Sequence, residues 1–172
     1  ESVDSIWGAA VPVSLEATDS ENLVLQDFNE DGNMDLAIGF RTNNESYINI
    51  YQGAGIRPAS GSQTFVFSQT VTATVSFQDL RSIDIDGDGD FDLIGIERNV
   101  ASGSTVYIWR NNNTGDFANI TPLIIGTSCN GCTTARTEGI VFTDVDNDGD
   151  LDIVAGSSTL LQSNSGDFTV LA

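Results

Sequence analysis

The sequence predicts an all-β chain of three tandem four-stranded antiparallel blades of the β-propeller type. Three observations predict it. First, nine-residue Asp-rich windows begin at Asp27 (DFNEDGNMD), Asp84 (DIDGDGDFD) and Asp144 (DVDNDGDLD), 57 and 60 residues apart. Second, short runs of β character abut each window on both sides, and none has a helical period. Third, a period of about 50–60 residues holds about four strands, the size of a propeller blade and larger than a solenoid rung.

Along the chain, Trp7 opens the first period, 20 residues ahead of Asp27 as Phe65 lies 19 ahead of Asp84. The strand-like run Ala9-Ala10-Val11-Pro12-Val13 follows it. Upstream of the windows stand Asn-Leu-Val-Leu-Gln (22–26), Asp-Leu-Arg-Ser-Ile (79–83) and Gly-Ile-Val-Phe-Thr (139–143). Downstream stand Leu-Ala-Ile-Gly, Leu-Ile-Gly-Ile and Ile-Val-Ala-Gly. A further strand comes next, Tyr47 to Tyr51 or Val106 to Trp109. A polar turn then leads to an aromatic slot: Phe65, Phe117 and Phe168. The last two follow Asn-Thr-Gly-Asp and Asn-Ser-Gly-Asp. Counted from the aromatic slots, the repeats span about 7–64, 65–116 and 117–172 of one repeat domain. Trp109, Tyr107 and Tyr51 on these strands read as blade-core packing rather than a sugar-stacking platform.

Each window has the chemistry of a cation loop. Positions 1, 3, 5 and 9 carry side-chain oxygen: Asp27, Asn29, Asp31 and Asp35; Asp84, Asp86, Asp88 and Asp92; Asp144, Asp146, Asp148 and Asp152. Position 7 (Asn33, Asp90, Asp150) adds its backbone carbonyl and a further polar side chain. Gly32, Gly89 and Gly149 at position 6 permit the sharp turn that aims alternate residues at one centre. Oxygen donors without His or thiolate favour Ca²⁺, about one ion per repeat. Two carboxylates about 4 Å apart repel by roughly 4 kcal/mol at an effective dielectric near 20, so a gathered set calls for a cation. Simple Asp-Gly hairpin turns would not need such a set. Apolar residues at positions 2 and 8 (Phe28, Met34; Ile85, Phe91; Val145, Leu151) are expected to pin the loop by packing. An EF-hand is excluded, because it needs flanking helices and an acid at position 12, where Ile38, Gly95 and Ala155 stand.

The pattern D-x-[DN]-x-D-G-x-x-D-[LI], recurring at about 60 residues between strands and followed by Gly-Asp-Phe, resembles the FG-GAP/VCBS repeats of integrin-α-type β-propellers. The resemblance covers nearly the whole chain. It implies four-stranded antiparallel blades, Ca²⁺ in the loop joining the first two strands, ligands at positions 1, 3, 5, 7 and 9, and an extracellular setting. Such propellers usually have six to eight blades and this chain has three, so the expected arrangement is an open array rather than a closed single-chain ring.

Composition sets the outer limits. Lys and Arg total 6 against 25 Asp and Glu, a net charge of -19. Such a surface repels nucleic acid and anionic membranes and attracts cations. No run of about 18 apolar residues is present, so no membrane insertion is expected. No signal peptide is visible and the chain opens on Glu1, which suggests a processed form or a segment of something longer. Cys129 and Cys132 enclose Asn130-Gly131 and read as a disulfide-closed turn in a secreted protein, with a free pair as the alternative. Asn44, Asn112 and Asn119 match N-glycosylation acceptors, a match that arises by chance in an Asn-rich chain, with modification as the alternative. Without His, a Ser or Cys nucleophile has no imidazole base, so the chain is not expected to be an enzyme.

Trp7 to Phe168 makes three whole periods, with both ends at one phase of the repeat. One copy's end could continue into the next one's beginning, giving a fibre if the contact stays open and a ring if it closes. The expected partner is therefore the chain itself, head to tail, in an extracellular structural protein. The alternative is an adhesion or ligand-binding segment of a larger cell-surface protein, with other surface proteins or glycans as partners.

Overall fold

The computed structural model describes residues 20–41, 46–56, 63–73, 77–97, 104–118, 122–127, 140–155, 158–163 and 166–171. Trp7, the run at 9–13, Cys129 and Cys132 lie outside the described residues. Among those described, twelve strands form three four-stranded antiparallel sheets and no helix is long and apolar enough to cross a membrane.

The first sheet runs in the order β1 (Ser20–Gln26), β2 (Asp35–Arg41), β3 (Ser46–Ile56) and β4 (Gln63–Ala73). The second runs β5 (Phe77–Ile83), β6 (Asp92–Glu97), β7 (Ser104–Trp109) and β8 (Leu123–Thr127). The third runs β9 (Ile140–Thr143), β10 (Asp152–Ala155), β11 (Ser158–Gln162) and β12 (Phe168–Leu171). Each strand pairs with its sequence neighbour, as expected for open tandem blades. The sequence period and the sheets are offset by about one strand: residue 65 falls inside β4, residue 117 falls before β8, and Phe168 opens β12.

Strand β6 is apolar on both faces because a sheet lies on each side of it. In β6, Leu93 joins the cluster against the first sheet with Phe28, Ile48, Ile50 and Trp109. Its neighbours Ile94 and Ile96 join the cluster against the third sheet with Ile153 and Leu160. Strands buried on both faces read as continuous apolar runs rather than alternations. A third, smaller cluster of Leu36, Ile38 and Phe40 occupies the far face of β2, with Tyr47, Tyr51 and Phe65 against it. Trp109 and Tyr107 pack on the ring of Phe77, as blade-core packing requires. Gly95 makes room for that ring: a Cβ there would stand 2.7 Å from Phe77 carbons.

The sheets are also tied by polar contacts across the junctions. The Asn22 amide donates to the Phe77 carbonyl at 3.2 Å, joining β1 to β5. In the turn after β7, Asn111 Nδ2 donates to the Phe28 carbonyl at 2.7 Å. Gln69 of β4 accepts from the Ala118 amide at 2.7 Å. Phe117, fully buried, meets Phe28 edge to face with ring centroids 5.1 Å apart. The turn carrying Gly-Asp-Phe thus docks on the Asp-rich loop of the preceding sheet.

Candidate metal centres

The Asp-rich windows are the loops joining β1 to β2, β5 to β6 and β9 to β10. Each is closed by a cross-strand pair in which position 9 takes part: Gln26 with Asp35, Ile83 with Asp92, Thr143 with Asp152. Positions 4 and 6 both have positive φ in every loop. At position 6 these are Gly32 at 85°, Gly89 at 101° and Gly149 at 98°; at position 4 they are Glu30 at 55°, Gly87 at 72° and Asn147 at 62°. Two left-handed residues separated by one ordinary residue curl the backbone, so its amides point inward.

Those amides organise the carboxylates. The position 1 carboxylate accepts from the amides of positions 5 and 6: Asp27 at 3.2 and 2.8 Å, Asp84 at 3.1 and 3.0 Å, Asp144 at 3.1 and 3.1 Å. Position 5 accepts from the amide of position 7, in Asp31, Asp88 and Asp148 alike. In the first loop Asn29 accepts from Asp31, and the Asn33 side chain donates to Asp31. Inward amide dipoles offset part of the repulsion that composition alone implies.

Position 9 behaves differently. Asp35, Asp92 and Asp152 are buried, and both carboxylate oxygens of each accept a backbone amide. One amide belongs to position 2 of the same loop: Phe28 at 3.1 Å, Ile85 at 2.9 Å, Val145 at 2.7 Å. The other comes from the end of the third strand or just beyond it: Gly53 at 2.8 Å, Asn111 at 2.7 Å, Gln162 at 2.8 Å. This aspartate straps the loop to the sheet, a role sequence reasoning missed.

Carboxylate oxygens converge to within 4.8 Å of one another in Asp84, Asp86 and Asp88, and again in Asp144, Asp146 and Asp152. Either triad could hold a metal ion. The first loop, with Asn29 at position 3, forms no such carboxylate group among the described residues. Two buried oxygens, Asp86 Oδ1 at position 3 and Asp150 Oδ2 at position 7, accept no hydrogen bond among the described residues. Unmatched carboxylate oxygens beside a convergent set suit a hard cation, since every donor available is oxygen. Asp90 and Asn33 complete position 7, where the latter's side chain is turned to Asp31.

Five loop carboxylates, Asp35, Asp86, Asp90, Asp92 and Asp146, hold their charge less readily than a free carboxylate. Burial pushes Asp92 up to about 7 from an ordinary 3.8, against the pull of the Ile85 and Asn111 amides. Burial also raises Asp35, opposed by the Gly53 and Phe28 amides. Asp86 is raised by burial and then by Asp88, while Arg110 works the other way. Asp90 and Asp146 are raised by loss of solvent around the carboxyl and then by Asp88 and Asp148 respectively. Arg110 stands 3.5 Å from Asp86 and donates to the Gly166 carbonyl, linking the second loop to the Gly-Asp-Phe turn of the third sheet.

Packing of the apolar loop positions departs from expectation. Position 2 is buried in Phe28 and Ile85 but open in Val145, and position 8 is exposed in Met34 and Phe91. Position 8 directly precedes the buried position 9, so pleat alternation turns it to the other side. Position 2 is covered only where a following sheet supplies the aromatic.

The FG-GAP-like repeat family model matches residues 27–95 and 84–155, two overlapping stretches that each run from one Asp-rich loop through the strand after the next. No curated protein and no solved structure matches the chain.

Proposed function

Because the chain belongs to the FG-GAP-like repeat family, we propose that it is an extracellular structural β-repeat protein whose blades are clamped by calcium and which assembles with itself head to tail. The observation that carries the calcium reading is the convergence of Asp84, Asp86 and Asp88, and of Asp144, Asp146 and Asp152, on two small oxygen-lined centres. Oxygen-only donors, flexible Gly-rich loops and a high negative charge favour Ca²⁺ over transition metals, which prefer nitrogen or sulfur. The first loop holds a third ion through Asp27, Asp31 and the Asn29 amide oxygen, more weakly for its missing charge. No catalytic residue belongs to this reading.

The extracellular setting is supported by the resemblance to integrin-type repeats and by the weak oxygen sites that extracellular calcium levels would fill. Self-assembly is supported by open apolar positions on the outer sheets. The same openness favours a second reading, an adhesion segment whose neighbouring repeats belong to a longer polypeptide.

The test is thermal unfolding with and without a chelator. An ion at about 100 times its Kd stabilises by roughly 2.7 kcal/mol per site. Removal of calcium is expected to lower Tm by at least about 10 °C. Asp88→Ala and Asp148→Ala lower the calcium-loaded Tm more than Asn29→Ala does. A Tm indifferent to chelator removes the calcium reading.

A further inference from the structure

Equivalent residues of the three sheets, aligned on the Asp-rich loops, differ in burial at the two ends of the array. Leu23 of β1 is 59% exposed, whereas its counterparts Leu80 and Ile140 are 2% and 9% exposed against the preceding sheet. At the other end, Val145 is 44% exposed, whereas Phe28 and Ile85 are each 1% exposed beneath the following sheet. Val154 of β10 repeats the pattern: Ala37 and Ile94 are wholly buried at the same position, and Val154 is half open. Thr159 of β11 is half open where Ile50 and Ile108 are buried.

The two interior junctions show what closes such a position. Phe117 covers Phe28 at the first junction, and Phe168 packs in the cluster of Ile85 at the second. Each aromatic follows the residue whose amide caps the position 9 aspartate, Asn111 or Gln162. In the first sheet that capping residue is Gly53, which pairs across the strands with Phe65. Phe65 lies on the far face of the first sheet beside Leu36 and Tyr51. It is turned to the side on which a preceding sheet would stand, while Val145 packs under no aromatic among the described residues.

We infer that the far face of the first sheet, at Leu23 and Phe65, docks on the far face of the third sheet, at Val145, Val154 and Thr159, of a second copy of this chain. The occupant is a second copy because the chain carries both halves of a junction it already makes twice. The contact is heterologous, and repetition extends it. It rests on the head-to-tail reading above and gives it its surfaces. Docking also covers the third Asp-rich loop, as the interior junctions cover the first two.

The test uses two variants of the chain, Leu23→Glu on one face and Val154→Glu on the other. Mass is measured by analytical ultracentrifugation at about 100 µM in calcium. Wild type is expected to form multimers that grow with concentration, and each variant alone to remain a monomer. An equimolar mixture is expected to form dimers and stop there, because one junction in the pair is intact. Circular dichroism and the calcium dependence of Tm verify that each variant folds. Thr159→Glu replaces Val154→Glu if the latter unfolds.

Multimers that persist in both single variants overturn the junction while leaving assembly standing. Monomeric variants whose mixture stays monomeric also overturn it, because a head-to-tail junction leaves one intact pair of faces between the two variants. A wild type that is monomeric in calcium overturns the junction together with the assembly reading, and leaves calcium binding untouched.

Discussion

Asp92 is caught between two opposing influences. Burial favours its neutral form, while the amides of Ile85 and Asn111 favour its charge. With a folded value of about 7 against an ordinary 3.8, the folded protein keeps a proton that the unfolded chain has released between those limits. Stability of the metal-free protein therefore falls as pH rises from about 4 to about 7. Asp35, Asp86, Asp90 and Asp146 are raised too and act with the same sign. A nearby cation reverses the balance, so calcium uptake is predicted to release protons over that same range. Calorimetric scans between pH 5 and pH 8 are expected to show Tm declining in chelator and holding or rising in calcium. In the second loop, where the convergent carboxylates are Asp84, Asp86 and Asp88, position 9 also separates structure from ligation. Asp92→Ala strands two buried amides and costs about 3 kcal/mol or more with or without calcium, whereas Asp88→Ala costs most of its effect only when calcium is present. Urea titration of both variants in the two conditions measures the difference.

The loop is an element whose outline was legible in the sequence. Its length, its Gly at position 6 and its alternating oxygens were all plain, and the flanking strands followed from them. Position 4 was not, because its left-handed conformation is filled by Glu30, Gly87 and Asn147, three residues with no common side-chain signal. Glu30 is the least suited to it, and Glu30→Asn is expected to stabilise by about 0.5 kcal/mol in chemical denaturation. The strap at position 9 was equally hidden. Asp35, Asp92 and Asp152 look like ligands by type, and their partners at Gly53, Asn111 and Gln162 donate through backbone amides that leave no trace in residue identity. Asn111 was likewise indistinguishable from its neighbours in an Asn-rich turn, although its side chain holds the Phe28 carbonyl. Of the aromatic slots, Phe117 and Phe168 lie at the two interior junctions, and Phe117 shows what such a ring does there. Phe117→Ala, emptying a fully buried site against Phe28, is expected to cost about 3–5 kcal/mol and to lower the calcium-loaded Tm accordingly.

At the scale of the whole molecule, three sheets share two finished junctions, and each finished junction lies over an Asp-rich loop. Cation binding and sheet stacking are therefore linked: an ion that stiffens a loop also fixes the surface on which the next sheet's turn rests. Arg110 makes this explicit at the second junction, touching Asp86 with one nitrogen and the Gly166 carbonyl with another. The repeat period, the four strands of each blade and the open array were available from spacing and resemblance. The offset between sequence period and sheet was not, because the aromatic that marks the next period stands inside β4, before β8 and at the start of β12. Calcium clamping of the blades is tested most directly by the number of calcium ions that the folded chain takes up. Native mass spectrometry of the chelator-stripped protein, titrated with calcium, is predicted to show about three ions per chain, the first two filling before the third. Binding of no ion at millimolar calcium would contradict the account.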